Sequence, residues 1–357
     1  MNIDERIRLV QQVGEEVLTE EELRVLFQNK KKPVAYDGFE PSGRMHIAQG
    51  LLRTINVNKM LKAGCTFTML VADWHAWANN KLGGDLEKIQ TTGEYMIEIW
   101  KACGMDTEGV TFQWFSDFVE DESYWKKVMQ IGINSTLKRI TRCSQIMGRK
   151  ESDTLSASQI FYPVMQCADI FHLKADICQL GMDQRKVNIL ARELAHKLGF
   201  EKPVSVHHHM LMGLGQPPAA GGDPMDRIMA LKMSKSNPDS AIFMTDSPSD
   251  VERKIGKAYC PAGVAIENPI LEYCKYIIFE RMKSLDVKRP SKYGGDLSFK
   301  NYQKLESVFA SGKLHPNDLK PAVASALNEL LEPIRKHFSK GKPQKLAEEV
   351  ASFVITR

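Results

Sequence analysis

The sequence predicts an α/β protein, a doubly wound parallel sheet followed by a smaller α-helical domain, and three observations carry that expectation. Short β-type runs alternate with longer amphipathic ones through the first 246 residues, the strand signals fade from about Ser247, and positive charge gathers in the final third. Alternation of this kind implies parallel strands covered on both faces, with a ligand crevice at their carboxyl ends.

Residues 1–32 are expected to be helical, Thr19 and Glu22 having the spacing of a capping box ahead of "LRVLF". The strands are then expected at "PVAYDGF" (33–39), "TFTMLVAD" (66–73), "VTFQWFS" (110–116), "ADICQL" (175–180) and "VSVHHHM" (204–210). Helices are expected at 46–64, 85–104, 156–173 and 182–199, where apolar residues recur three and four apart. Leu86, Ile89, Met96 and Trp100 make one such stripe, which reads as core packing. Beyond it, "SPSDVERKIGKAYC" (247–260) opens with a capping serine, and "NDLKPAVASALNELLEPIRKHF" (317–338) is amphipathic. The expected organisation is an N-terminal helical segment (1–32), an α/β domain (33–246) and a helical domain (247–357). Within the second, the Gly/Pro-rich stretch 213–227 is expected to be a mobile loop, open when the site is empty.

Composition narrows the function class. At 357 residues and 43% hydrophobic content the chain can bury a large core. Seven cysteines without a CxxC pair argue against a zinc ribbon or a disulfide framework, and a reducing cytoplasm fits them best. The N-terminus is charged and amphipathic, and no segment approaches about 18 apolar residues, so neither secretion nor a membrane span is expected. Net charge is +4, yet residues 251–357 hold 19 Lys and Arg against 12 Asp and Glu. A solvated helical surface and a partner with a phosphate backbone both account for that excess.

No G-x-x-x-x-G-K-[ST] loop occurs, and "GLGQPP" lacks the glycine and helix of a dinucleotide fingerprint. Another phosphate-binding device is present at "YDGFEPSGRMHIAQG" (36–50): a strand, a tight Pro-Ser-Gly turn, then a helix whose first turn is expected to carry His46. Backbone N–H groups and the positive end of a helix dipole there suit a phosphate. About 190 residues later comes "KMSKS", Lys232 to Ser236, whose two ammonium groups can reach one polyanion. The triplet His207-His208-His209 lies on an expected strand, where adjacent side chains point to opposite faces. It therefore reads as a strand end near a nucleotide base rather than a zinc site.

Together, His46-Ile47-Ala48-Gln49 and Lys232-Met233-Ser234-Lys235-Ser236 resemble the two signatures of the class I aminoacyl-tRNA synthetases, which bracket a Rossmann-like fold. The second signature matches fully. The first departs at Ala48 and Gln49, and Gln49 is given no catalytic role. "AYDGFEPSG", "VADWHAW", "YPVMQCADI", "GMDQRK", "GKAYCPAG", "YGGDL" and "LHPNDLK" sharpen the resemblance to the tyrosyl branch of that class, eukaryotic and archaeal type, over nearly the whole chain.

The resemblance implies a ligase that activates L-tyrosine with ATP and Mg²⁺ and transfers it to tRNA(Tyr), cytoplasmic and homodimeric, with no metal bound by the protein itself. It implies that Tyr36 and Asp169 hold the phenol, with Tyr162, Gln166 and Gln184 around the rest of the amino acid. Gly38, Ser42, His46, Asp183, Met233 and Ser234 would meet ATP, and His46, Lys232 and Lys235 would stabilise the transferring phosphate. Arg185 and Lys186 would read the acceptor stem, and Tyr293, His315 and Asp318 the anticodon. Spacing supports one group independently, because positions 162, 166 and 169 fall on one helical face. A tryptophanyl enzyme of the same class, a non-catalytic RNA-binding relative and an adenylyltransferase acting on a small metabolite are the alternatives. The Tyr36 and Asp169 pair opposes the first and the intact lysine motif the second, while the basic helical region opposes the third.

Overall fold

The computed structural model describes residues 1–147, 154–218, 227, 230–231, 233 and 238–354. Six strands form one sheet: β1 (Gly14–Leu18), β2 (Val34–Phe39), β3 (Thr66–Val71), β4 (Val110–Trp114), β5 (Ile177–Gly181) and β6 (Val204–His208), in the spatial order β1-β6-β5-β2-β3-β4. Strands β2 to β6 are parallel and coincide with the five expected runs, their ends shifted by one or two residues. The central strand β5 is buried along its whole length, as a strand covered on both faces must be. Since β5 and β2 are neighbours from which the chain winds outward in opposite directions, their carboxyl ends part to leave the crevice.

The helices cover this sheet. Asp85 caps the helix Leu86–Ala102 by accepting the Lys88 N–H, and Ile89, Met96 and Trp100 of the expected stripe are buried. Ser156 and Gln159 form a capping box that starts the helix Ala157–His172, whose inward face carries Tyr162, Gln166 and Asp169. Beyond Ser247, helices Pro248–Lys257, Pro269–Tyr273, Tyr302–Ala310, Pro316–His337 and Gly341–Ser352 make the C-terminal part. Its core is continuous with that of the sheet, in one apolar cluster that includes both Ile7 and Val350.

Three local expectations are corrected. Residues 14–18 are not helical: they form β1, antiparallel to β6, so the sheet is mixed. "GEEVL" is short and charged and shows no strand periodicity. It is held as an edge strand by Glu16, which meets Arg185 and His207, each at 2.8 Å, and by Glu15, which meets His209 at 2.6 Å. The C-terminal part is not purely helical either, because Leu285–Val287 and Leu297–Phe299 pair as a small antiparallel sheet, each too short to leave a pattern. Finally, the helix after the Pro-Ser-Gly turn begins later than expected. His46 sits in an antiparallel bridge with Phe243, and helical turns start only at Ala48, first as a π turn to Leu52 and then as the helix Arg53–Lys62.

Candidate functional site

A cavity of about 280 Å³ opens at the carboxyl ends of β2, β3, β5 and β6, where the topology places it. At its base Asp169, buried, comes from the 157–172 helix. The Tyr124 hydroxyl lies 3.0 Å from Asp169 Oδ1, and His75 Nε2 lies 3.0 Å from Oδ2. Tyr36, at the middle of β2, is buried beside them and borders the cavity. Burial, then the Asp169 charge, pushes both the Tyr36 and Tyr124 phenols well above the usual range. Both therefore stay protonated, and Tyr124 donates to Asp169 Oδ1. Further along the same helix face, Tyr162 stands edge-on to His75 with centroids 5.0 Å apart. Gln166 Nε2 donates to Gln184 Oε1 at 3.0 Å, and Gln184 Nε2 in turn donates to the Ile146 carbonyl.

The other end of the cavity is built from the first signature and the strand ends. Gly38, Ser42, His46, Ala48, Gln49, Asp183, Met210 and Met233 border it. A side chain at Gly38 would crowd the Tyr36 hydroxyl at 3.0 Å, so glycine leaves that hydroxyl its space at the cavity wall. The Gln49 carboxamide turns back and accepts the His46 N–H at 3.4 Å, a structural task. Met233, centre of the lysine motif, is buried against the core, with its sulfur 4.0 Å from the Tyr273 hydroxyl. Lys232, Ser234 and Lys235, like most of the 213–227 loop, lie outside the described residues.

The three consecutive histidines part company. His207 is fully buried between Glu16 and Asn188, while His208 faces Arg53 at 2.9 Å and Gln179 at 3.1 Å. His209 Nδ1 lies 2.6 Å from Glu15 Oε1, its Nε2 lies 3.0 Å from Glu272 Oε2, and its ring stacks on Tyr276. His208 and His209 do border the cavity. No cluster of three or more metal-ligating side chains occurs among the described residues.

His209 joins β1, β6 and the C-terminal part, and its pKa is raised to about 9: burial opposes the charge, and both carboxylates outweigh it. With the folded value above the unfolded one, its stabilisation is fully present below pH 6.5 and is lost as pH rises through about 9. After allowance for the exposure of Glu15, roughly 1–2 kcal/mol is at stake. The melting temperature is therefore expected to fall between pH 7 and 9.5. His209→Gln should melt lower at pH 7 and flatten that slope, which thermal scans across the pH range will check.

Sequence reasoning missed part of the site. Tyr124 and His75 hold the carboxylate of Asp169, yet His75 lies in a quoted motif without a role and Tyr124 sits in an ordinary amphipathic helix. Also missed is a buried pair in the cavity wall: Arg53 Nε lies 3.0 Å from Asp37 Oδ2, and Arg53 also donates to the Gln179 carbonyl at 3.0 Å. Burial raises the Asp37 carboxyl to about 7, against the lowering pull of Arg53 and the Gly38 N–H. Only the position of Asp37 next to Tyr36 in "AYDGF" hinted at it.

The expected RNA contacts lie on separate elements. Arg185 opens the helix Arg185–Leu194 and is engaged by Glu16, with Lys186 half-buried beside it. Tyr293 is exposed on a turn followed by two left-handed glycines. Arg289 fastens that turn to the next one by donating to the Gly295 and Lys313 carbonyls. His315, rather than Asn317 or Asp318, is the cap of the helix Pro316–His337, its Nδ1 accepting the Asn317 N–H at 3.1 Å, with Asp318 in the first turn.

Residues 28–332 match the family model described as class I tRNA synthetases (W and Y). The chain is 50% identical to the cytoplasmic tyrosine-tRNA ligase 1 of Arabidopsis thaliana, over 99% of this chain and 90% of that protein. The crystal structure of tyrosyl-tRNA synthetase complexed with L-tyrosine from Pyrococcus horikoshii superposes with a TM-score of 0.91 at 42% identity, covering 99% of this chain and all of that one. A tryptophanyl-tRNA synthetase from Aeropyrum pernix shares 19% identity at a TM-score of 0.67, over 93% of this chain and 84% of that one, and so shares the fold alone.

Proposed function

The chain belongs to the class I tRNA synthetases and, within them, to the tyrosine-tRNA ligases, and from that premise we propose how its residues divide the work. The reaction joins the tyrosine carboxylate to the α-phosphorus of ATP, releasing pyrophosphate, and then passes the tyrosyl group to the terminal ribose of tRNA(Tyr). Mg²⁺ enters as part of the ATP substrate. The observation that carries the reading is the base of the cavity, where the buried carboxylate of Asp169 is held by Tyr124 and His75 beside the Tyr36 phenol.

A substrate phenol fits between Tyr36 and Asp169 as both donor and acceptor. Tyr162, Gln166 and Gln184 then face the α-amino end, their amides locked by the 3.0 Å bond between Gln166 and Gln184. Asp183 borders the cavity where a ribose would lie, and Gly181, where a Cβ would stand 2.6 Å from Asp183 Oδ1, leaves room for its carboxylate. Ser42, His46 and Met233 border the phosphate end of the cavity; Ser234 of the lysine motif would join them at ATP, and Lys232 and Lys235 would supply positive charge as negative charge shifts onto pyrophosphate. No side chain forms a covalent bond; catalysis is alignment plus charge stabilisation. Residues 33–246 form the catalytic domain and 247–357 a tRNA-reading domain, in which Tyr293, His315 and Asp318 meet the anticodon, while Arg185 and Lys186 meet the acceptor stem. The cytoplasm is the proposed compartment, after the Arabidopsis relative's name.

Tyrosine-dependent ATP–pyrophosphate exchange, compared with tryptophan and phenylalanine and followed by charging of tRNA(Tyr), tests the residue assignment. Exchange with tryptophan as efficient as with tyrosine would remove the Asp169 and Tyr36 roles.

A homodimer is part of the proposal, supported by an exposed apolar stripe. Trp125, Met129 and Ile133 recur every fourth residue on the helix Glu122–Ile133, with Leu137 beyond it, and Ile133 is 78% exposed. Ile133→Lys is expected to convert a dimer into monomers in sedimentation velocity. A monomeric wild-type protein at micromolar concentration would refute the interface.

A further inference from the structure

The residues that follow the lysine motif carry a task that the motifs do not assign. Ile242–Met244 run alongside Met45–Ile47: the Ile47 N–H donates to the Ile242 carbonyl at 2.8 Å and the Met244 N–H to the Met45 carbonyl at 2.9 Å, with the His46–Phe243 bridge between them. Met244 packs so closely over Gly50 that a Cβ there would stand 2.4 Å from its sulfur. His46 and the segment leaving the lysine motif are thus the two rails of one short ribbon.

Asp246 fastens that ribbon. Its carboxylate is 4% exposed; Oδ1 accepts from Arg44 Nη2 at 2.9 Å, and Oδ2 accepts from Lys254 Nζ at 2.6 Å and from the Phe243 N–H at 2.9 Å. Its carbonyl accepts from Arg335 Nε, on the helix Pro316–His337, at 2.8 Å. Arg44 and Lys254 also stand over the Phe243 ring, 4.5 and 4.9 Å from its centroid. One buried carboxylate therefore gathers a cation from the first-signature strip, another from the 248–257 helix and a backbone donor from the lysine-motif side. Such charge-assisted bonds fix direction as well as distance.

We propose that Asp246 is a positioning residue for adenylate formation: it holds the His46 strip and the segment leading out of the lysine motif in one register, so that both halves of the phosphate clamp meet ATP aligned. The inference rests on the phosphate roles proposed above for those motifs. Tyr36 and Asp169 belong to β2 and the 157–172 helix, outside the ribbon, so a shift in it costs rate and leaves the amino-acid pocket intact. Ångström-scale misplacement of this kind costs on the order of 10²-fold in rate.

The test uses the full chain, with tyrosine-dependent ATP–pyrophosphate exchange and a separate tyrosine titration. Asp246→Asn should lower kcat about 10²-fold while tyrosine Kd stays within about twofold. Arg44→Met, which leaves the buried Lys254 pair intact and so spares the fold, should show the same split with a smaller loss. In the His46→Ala/Asp246→Asn double variant the loss should not exceed that of His46→Ala by the full Asp246 factor, because both act on one strip. Multiplicative losses, or tyrosine affinity falling in step with kcat, overturn the proposal. If Asp246→Asn does not fold, an unchanged kcat in Arg44→Met overturns it alone. A wild-type chain without tyrosine-dependent exchange would refute the functional reading itself, a result distinct from normal exchange in the variants.

Discussion

Asp169→Ala is expected to abolish measurable tyrosine binding, with Asp169→Asn retaining a weak remnant. The reason lies in what surrounds the carboxylate. It is buried with Tyr36 beside it and has Tyr124 and His75 against its two oxygens, so its removal takes the carboxylate from Tyr36 and His75, while Tyr124 keeps the Met165 carbonyl. Losing a charge-assisted bond in such a site costs about 3 kcal/mol, or roughly 10²-fold in Kd, and the unsatisfied neighbours add to it. The same arrangement sets selectivity. Phenylalanine would leave both Tyr36 and Asp169 unpaired; discrimination of about 10⁵ is the magnitude that the tyrosyl-tRNA synthetases exemplify. Calorimetric titration of tyrosine and phenylalanine into the wild type and both variants checks the point. Retained tyrosine affinity in Asp169→Ala would remove that residue from the pocket.

Lys235→Ala is expected to slow adenylate formation by roughly 10²–10³ while changing tyrosine affinity little, the range seen when one donor to a developing negative charge is deleted. The asymmetry follows from where charge moves. In the ground state the outer phosphates are already solvated, whereas during transfer the charge shifts toward pyrophosphate, and only then does the lysine contribute most. Pre-steady-state quenching of adenylate formation, set beside a tyrosine titration, separates the two quantities. Equal losses in both would mean that the lysine merely helps to bind substrate.

The parts of this molecule that were legible in advance share a property: each is written in a local pattern. The five parallel strands are apolar runs bounded by polar ones, the 86–102 and 157–172 helices show three-and-four spacing, and Tyr162, Gln166 and Asp169 fall on one face by arithmetic alone. The parting of the three histidines follows from strand geometry in the same way. What escaped was written in pairs far apart along the chain. Strand β1 is polar and five residues long, and it exists because Glu15 and Glu16 meet partners about 170 to 190 positions later. Tyr124 has nothing in its neighbourhood to distinguish it from a core aromatic until the fold sets its hydroxyl against Asp169. The Arg53–Asp37 pair joins a helix that reads as merely amphipathic to a strand that reads as merely apolar.

By itself, then, the sequence determined the α/β class, the strands that make the crevice, the two signature motifs and the helix face that borders the cavity, because backbone periodicity and short motifs are one-dimensional properties. Tertiary structure alone decided where His46 lies relative to its helix, which strand closes the sheet edge, and which cations gather on Asp246. Those are consequences of burial. A carboxylate taken from water must find donors within about 3 Å, and only the folded chain, not the order of its residues, says which donors stand there.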